Sequence, residues 1–140
     1  MEVKVVETAK EKDDAFKVRY EVFVEEQNVP AELEIDEFEA EATHFVAYDK
    51  ISPVAAGRYR IKDQLAKVER ICVLIAYRKT GMGQQLMQSI EKHASEMNLK
   101  GMKLNAQLTA VGFYERLGYH TVSEEFMDAG IPHVTMTKNF

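Results

Sequence analysis

Cysteine occurs once in this 140-residue chain and proline three times, and no apolar stretch comes near the roughly 20 residues needed to span a bilayer. A lone cysteine excludes an intramolecular disulfide framework. Cys72 lies inside the apolar run Ile71–Ile75 and reads as a buried, inert thiol. Positive charge is also short: 18 Lys and Arg against 23 Asp and Glu give a net charge of −5. Such a field repels nucleic acid, so neither a nucleic-acid nor a membrane partner is expected. The four histidines are scattered, and the cysteine sits in a core-like run, so no metal site is expected. Met1-Glu2-Val3-Lys4 leads straight into a strand-like pattern with no secretory signal, and the expected location is cytoplasmic.

What is present reads as one domain over residues 1–140, with no internal repeat and no low-complexity linker. Glu2 to Glu7 alternates around valines as a first strand. Asp13-Asp14 offers N-cap chemistry to a helix whose apolar side carries Phe16, Val18, Tyr20, Phe23 and Val24. Residues 25–41 hold eight carboxylates and no Lys or Arg, and the stretch from Gln27 to Glu41 reads as loop with a turn of helix. Thr43–Tyr48 and Val54–Ile61 form a hairpin around Asp49–Pro53. Lys67–Ile75 is a third long strand. Its apolar positions change register between Val68 and Ile71, which either a bulge or an ordinary partly polar strand produces.

Met82, Leu86, Met87, Ile90, Ala94 and Met97 recur at helical spacing, with Gly101 as the stop signal. Met102–Ala106 is a strand and Thr109–Leu117 a short helix stopped by Gly118. Tyr119–Phe126 and His133–Thr137 are strands joined through Asp128-Ala129-Gly130. This order specifies a mixed α/β domain rather than a doubly wound one.

Between the third strand and the long helix stands Arg78-Lys79-Thr80-Gly81-Met82-Gly83. A strand, a glycine turn and a helix start can hold phosphate. Glycine lets the backbone approach a ligand, and the first-turn N–H groups lack intrahelical partners. Arg78 adds a cation with forked donors. A solvated basic loop has the same composition, so both readings stand at this point. The loop lacks the Lys-Ser/Thr ending of the Walker loop and the three-glycine dinucleotide spacing, which disfavours an NTPase or a Rossmann dehydrogenase.

The run Val73–Gly83 resembles the acetyl-CoA signature of the GNAT N-acetyltransferase superfamily, an apolar strand followed by Arg/Gln-x-x-Gly-x-Gly/Ala and a helix. Phe113-Tyr114-Glu115-Arg116-Leu117-Gly118-Tyr119 resembles the family's second marker. Val24–Pro30, the acids through Ile35-Asp36, and Gly130-Ile131-Pro132-His133 are similar to the ElaA/YjcF-like subgroup. The resemblance implies a mostly antiparallel central sheet flanked by helices, with two strands splayed where coenzyme A binds.

It further implies that Arg78, Lys79, Thr80, Gly81, Met82 and Gly83 cradle the pyrophosphate of acetyl-CoA, the co-substrate. Ile71, Cys72 and Val73 would lend backbone to the pantetheine arm, beside Asn105 and Tyr114. The implied reaction is direct acetyl transfer to a primary amine of a small molecule or peptide, with Tyr114 as general acid. Glu69, His133 and His44 are candidate bases, and water alone is a further possibility. A non-catalytic acyl-CoA-binding or sensor domain is the alternative reading, and an interaction module built on the acidic segment is a third. The family forms monomers and homodimers. Arg58, Arg60 and Arg70 either bind an anionic acceptor or pair with the acids of residues 32–41.

Overall fold

The computed structural model describes all 140 residues. Strand β1 (Glu2–Val5) leads into helix α1 (Ala9–Arg19). Thr8 caps that helix, its hydroxyl accepting from the Glu11 N–H while the Glu11 carboxylate accepts from the Thr8 N–H. This reciprocal capping box places the helix start five residues before Asp13-Asp14. The helix runs on into a π-helical turn, Tyr20–Glu26, and a single turn α2 follows (Ala31–Glu34).

Strands β2 (Thr43–Asp49), β3 (Ser52–Lys62) and β4 (Leu65–Val73) form an antiparallel meander. A short 3₁₀ turn, Ile75–Tyr77, replaces the expected end of the third strand. Helix α3 (Met82–Glu96) then crosses to β5 (Gly101–Gln107), which pairs in parallel with β4. Asn98, at φ 61°, takes the left-handed conformation beyond α3, while Gly101 already belongs to β5. There a Cβ would collide with the Lys138 carbonyl.

Helix α4 (Val111–Arg116) is followed by β6 (His120–Thr121), β7 (Phe126–Asp128) and β8 (Ile131–Asn139). The strand expected over Tyr119–Phe126 is thus two short strands, each pairing with β8. The sheet order is β1-β2-β3-β4-β5-β8-β6, with every pairing antiparallel except β4–β5.

Strand alternation gives the sheet two unlike faces. Phe45, Tyr59, Val68, Leu104 and Met136 point to one face and pack against Leu86, Met87 and Ile90 of α3 and Tyr114 of α4. On the other face Val46, Ala56 and Cys72 meet Ala15, Val18 and Val22 of α1 and the π turn. Most of the remaining side chains on that second face are polar. No helix is long and apolar enough to cross a membrane.

Candidate active site

The ladder between β4 and β5 runs from Leu65↔Gly101 to Val68↔Leu104 and stops. Its stopping point has a local cause. Ala56 pairs with Cys72 and Arg58 with Glu69, so Arg70 and Ile71 together face Gly57. This is a β-bulge, with Arg70 at φ 61°. Gly57 leaves room for it, since a Cβ there would stand 2.5 Å from Ile71 Cδ1. A bulge bends its strand, and past Val68 and Leu104 the stretches Glu69–Val73 and Asn105–Gln107 no longer pair with each other, leaving backbone groups between them without a ladder partner.

The opening leads to the Arg78–Gly83 loop. Lys79 (φ 62°) and Gly81 (φ 87°) are both left-handed, a backbone form that gathers N–H groups into a concavity. Gly81 is the N-cap of α3 and has nothing within 4 Å of where a Cβ would be. The N–H groups of Met82, Gly83 and Gln84 have no acceptor in the protein. Met82 contributes only its backbone here, because its side chain is wholly buried in the core. Gly83 lets α4 close in: its Cβ would lie 3.2 Å from Phe113 Cζ.

Arg78 is already engaged. Its guanidinium is held two-pronged by Glu26 at 2.8 and 2.6 Å, and its Nε donates to the Val73 carbonyl at 2.9 Å. The cation left free on this loop is Lys79, which is exposed and makes no ion pair. Thr80 turns its hydroxyl back onto the Tyr77 carbonyl.

Tyr114 is buried, edge-on to Phe113 and to Tyr119, and its hydroxyl has no hydrogen-bond partner in the protein. Burial pushes this phenol up, so it carries its proton at neutral pH. Cys72 turns to the α1 face, its thiol directed at the Ala56 carbonyl, and burial pushes it up to about 12. Such a thiol is a poor nucleophile.

Asn105 is exposed on the diverging part of β5, its Oδ1 accepting from the Thr135 hydroxyl at 2.8 Å. Next along, Gln107 pairs with His133 of β8 and donates its amide to Gln27 Oε1 at 2.8 Å. Gln27 closes the π turn, so this bond ties the α1 side of the molecule to the end of β5. His133 is buried against Phe126, ring centroids 6.0 Å apart, and its Nδ1 lies 2.6 Å from the Ile131 carbonyl. A carbonyl only accepts, so Nδ1 carries the hydrogen, and Nε2 of the neutral ring is left as a lone-pair acceptor.

The other two candidate bases are held differently. Burial pushes the Glu69 carboxyl up, but Arg60 and Arg58 more than offset this and bring it below its ordinary value. Arg60 Nε lies at 2.8 Å and Arg58 at 3.1 Å. A carboxylate so held is a weak proton acceptor. His44 is buried with Nε2 at 2.8 Å from the Glu39 carbonyl, and burial lowers its pKa.

Both belong to one ion network. Arg19 binds Glu34 at 2.6 Å and Glu39 at 2.7 Å, and Arg58 binds Asp36 and Glu39 at 2.7 Å each. Arg70 reaches Asp36 and the carbonyls of Leu33 and Glu34. Arg60 pairs with Glu69 and stacks over Phe38. The arginines are thus spent on the acidic segment, folding it onto the sheet. Sequence reading did not single out Gln107, and it placed Glu26 and Gln27 in the Val24–Pro30 resemblance without giving either a partner. The pairs Gln27–Gln107 and Glu26–Arg78 are 80 and 52 residues apart, and no periodicity links them.

Residues 7–140 match the family model described as an acetyltransferase (GNAT) domain. The chain is 51% identical over 140 residues to the uncharacterized N-acetyltransferase YjcF of Bacillus subtilis (strain 168), covering 99% of this chain and 100% of that one. A crystal structure of a putative N-acetyltransferase from Lactobacillus plantarum superimposes with TM-score 0.92 at 28% identity, covering 99% of this chain and 97% of the other. Escherichia coli ElaA does so with TM-score 0.87 at 26% identity, covering 98% of each.

Proposed function

The chain belongs to the acetyltransferase (GNAT) family, and from that premise we propose that it transfers the acetyl group of acetyl-CoA directly to a primary amine of a small molecule or peptide. The observation that carries this reading is the opening between β4 and β5, which leads onto three unpartnered N–H groups at the start of α3. The N–H groups and Lys79 suit a pyrophosphate. The free edge of Ile71, Cys72 and Val73 suits an extended arm with amide groups, which pairs as an added strand would.

In this reading the acceptor nitrogen attacks the thioester carbonyl carbon, and the C–S bond breaks. The thiolate sulfur takes the proton of Tyr114, a phenol that is protonated at neutral pH. His133 Nε2 takes the proton released by the amine. An alkyl amine is mostly protonated at neutral pH, so a base beside it increases the reactive fraction. Glu69 shapes the polar wall through its arginines. No acyl-enzyme is needed, and Cys72 is not presented for one.

Tyr114→Phe is expected to lower kcat by about a hundredfold, the low end for a general acid, while the Kd for acetyl-CoA stays the same. His133→Gln is expected to lower kcat while the Kd for acetyl-CoA stays the same. Thiol release followed with and without a broad set of amines checks the reading. Binding of acetyl-CoA with no amine-dependent thiol release would overturn transfer and leave an acyl-CoA-binding domain.

A further inference from the structure

The arginines and acids of the α1 face cancel. Arg19, Arg58, Arg60 and Arg70 meet Glu34, Asp36, Glu39 and Glu69, four guanidiniums to four carboxylates. Three lysines of the same face are left without an ion pair: Lys62 at the exposed end of β3, and Lys67 and Lys103, which are adjacent. Lys67 of β4 stands directly beside Lys103 of β5 in the parallel ladder. Ala66, Val68, Met102 and Leu104, their chain neighbours, all point into the core on the α3 side, so alternation turns both lysines to the polar face. Neither makes a hydrogen bond or an ion pair, and both are only partly exposed.

Like charges on adjacent strands repel, and strands lie about 4.8 Å apart. Burial lowers the Lys67 pKa, and Arg60, Lys62 and Lys103 add to that against the attraction of Glu69. A protein with net charge −5 therefore keeps an uncompensated cation pair, on the last rungs before the β4–β5 opening.

The position of the pair relative to the opening is fixed by register. Glu69 and Asn105, each two residues on from these lysines, flank the apex of the opening on the same face. Two strand residues span about 7 Å. The opposite face is sealed by the core, so an acceptor reaches a thioester in the opening from the polar side. We propose that Lys67 and Lys103 bind an anionic oxygen group of the acceptor, which is an amine carrying a carboxylate or phosphate about 7 Å from its nitrogen. The inference rests on the acetyl-transfer reading for the identity of the acceptor, but the anion site stands on its own geometry.

The test compares four acceptors of equal chain length: an ω-amino carboxylate, the ω-amino phosphate, the diamine and the amino alcohol. The wild-type protein is expected to favour one of the two anionic amines over the diamine and the alcohol by roughly tenfold or more in kcat/KM. Whichever anion wins identifies the group. In Lys67→Gln and in Lys103→Gln that ratio is expected to collapse toward one, mainly through KM. Removing one of two repelling charges leaves the fold intact, which a thermal melt confirms.

In parallel, both anionic amines are titrated by NMR into the full chain saturated with coenzyme A. Binding that is lost in the two variants, without turnover, overturns acetyl transfer and keeps the anion site. Turnover of all four amines with no charge preference keeps acetyl transfer and overturns the anion site. Neither binding nor turnover overturns both.

Discussion

On one face of the sheet Leu86, Met87 and Ile90 are pressed by α3 against Phe45, Val68 and Met102. On the other, beyond a small apolar patch, Arg19 and Arg58 sit fully buried among carboxylates. Contact on the first face is non-directional, and loss of a side chain costs its transfer energy plus a cavity. Contact on the second is directional. Each buried guanidinium needs its acids, and each acid needs its guanidinium. Arg58 shows the cost of this design, because its Nε is buried with no acceptor. The apolar face therefore supplies cohesion, and the ionic face supplies placement. It pins the acidic segment onto the sheet through Glu34, Asp36 and Glu39.

Removing one central ion should break this contrast most severely. Arg58→Met is expected to destabilise the protein by about 3–5 kcal/mol at neutral pH, because Asp36, Glu39 and Glu69 lose a shared partner. Urea unfolding measures it. Leu86→Ala on the apolar face is expected to cost about 2–5 kcal/mol, and by the same assay the cost should not change with pH.

Titration sharpens the comparison further. Arg58, helped by the Phe38 N–H, holds Asp36 down to about 2 from an ordinary 3.8. Burial pushes Glu39 up, but Arg19 and Arg58 outweigh it and bring it from 4.5 to about 2. Both folded-state values lie below the unfolded ones. The stability they contribute is therefore complete above the ordinary carboxylate range and is lost as pH falls toward about 2. Wild type should weaken across that window, and Arg58→Met should weaken much less there.

Glu26→Gln probes the smallest effect. The Glu26–Arg78 pair is partly exposed, so its loss should change stability by less than about 1 kcal/mol. Freeing Arg78 from a competing carboxylate should tighten coenzyme A binding by about threefold, as read by calorimetry. Weakened binding would show instead that the pair is needed to hold the loop open.

The apolar face was the more legible in the sequence. The spacing of Met82, Leu86 and Ile90 placed α3, and the glycines of Arg78–Gly83 placed its start. The Phe113–Tyr119 run likewise marked the second helix of that face. Each depends on neighbours in the chain. The ionic face depends on partners 9 to 36 residues apart, such as Arg60 with Glu69 and Arg70 with Glu34, and charge alone does not choose among many pairings. The Glu26 partner of Arg78 was missed for that reason: it lies 52 residues away in the chain and nothing near Arg78 marks it. The cap of α1 was misplaced. The Asp13-Asp14 reading passed over Thr8 and Glu11, whose capping-box spacing starts the helix a turn earlier.

One residue of surplus in β4 has a further consequence. Up to Glu69 the strand shows its odd-numbered residues to the polar face. After Arg70 it is the even-numbered Cys72 that faces α1, and the odd-numbered Ile71 and Val73 turn to the oily side. The strand has changed parity. A chain lacking Arg70 would match β3 residue for residue, with Ile71 following Glu69 on the oily side and Cys72 still facing α1, and without the bulge the strand would be free to pair on past Val68. The opening is written as an arithmetic offset between β4 and β3 rather than as any special composition, so homologous chains could exchange most of the lining residues and still retain the opening.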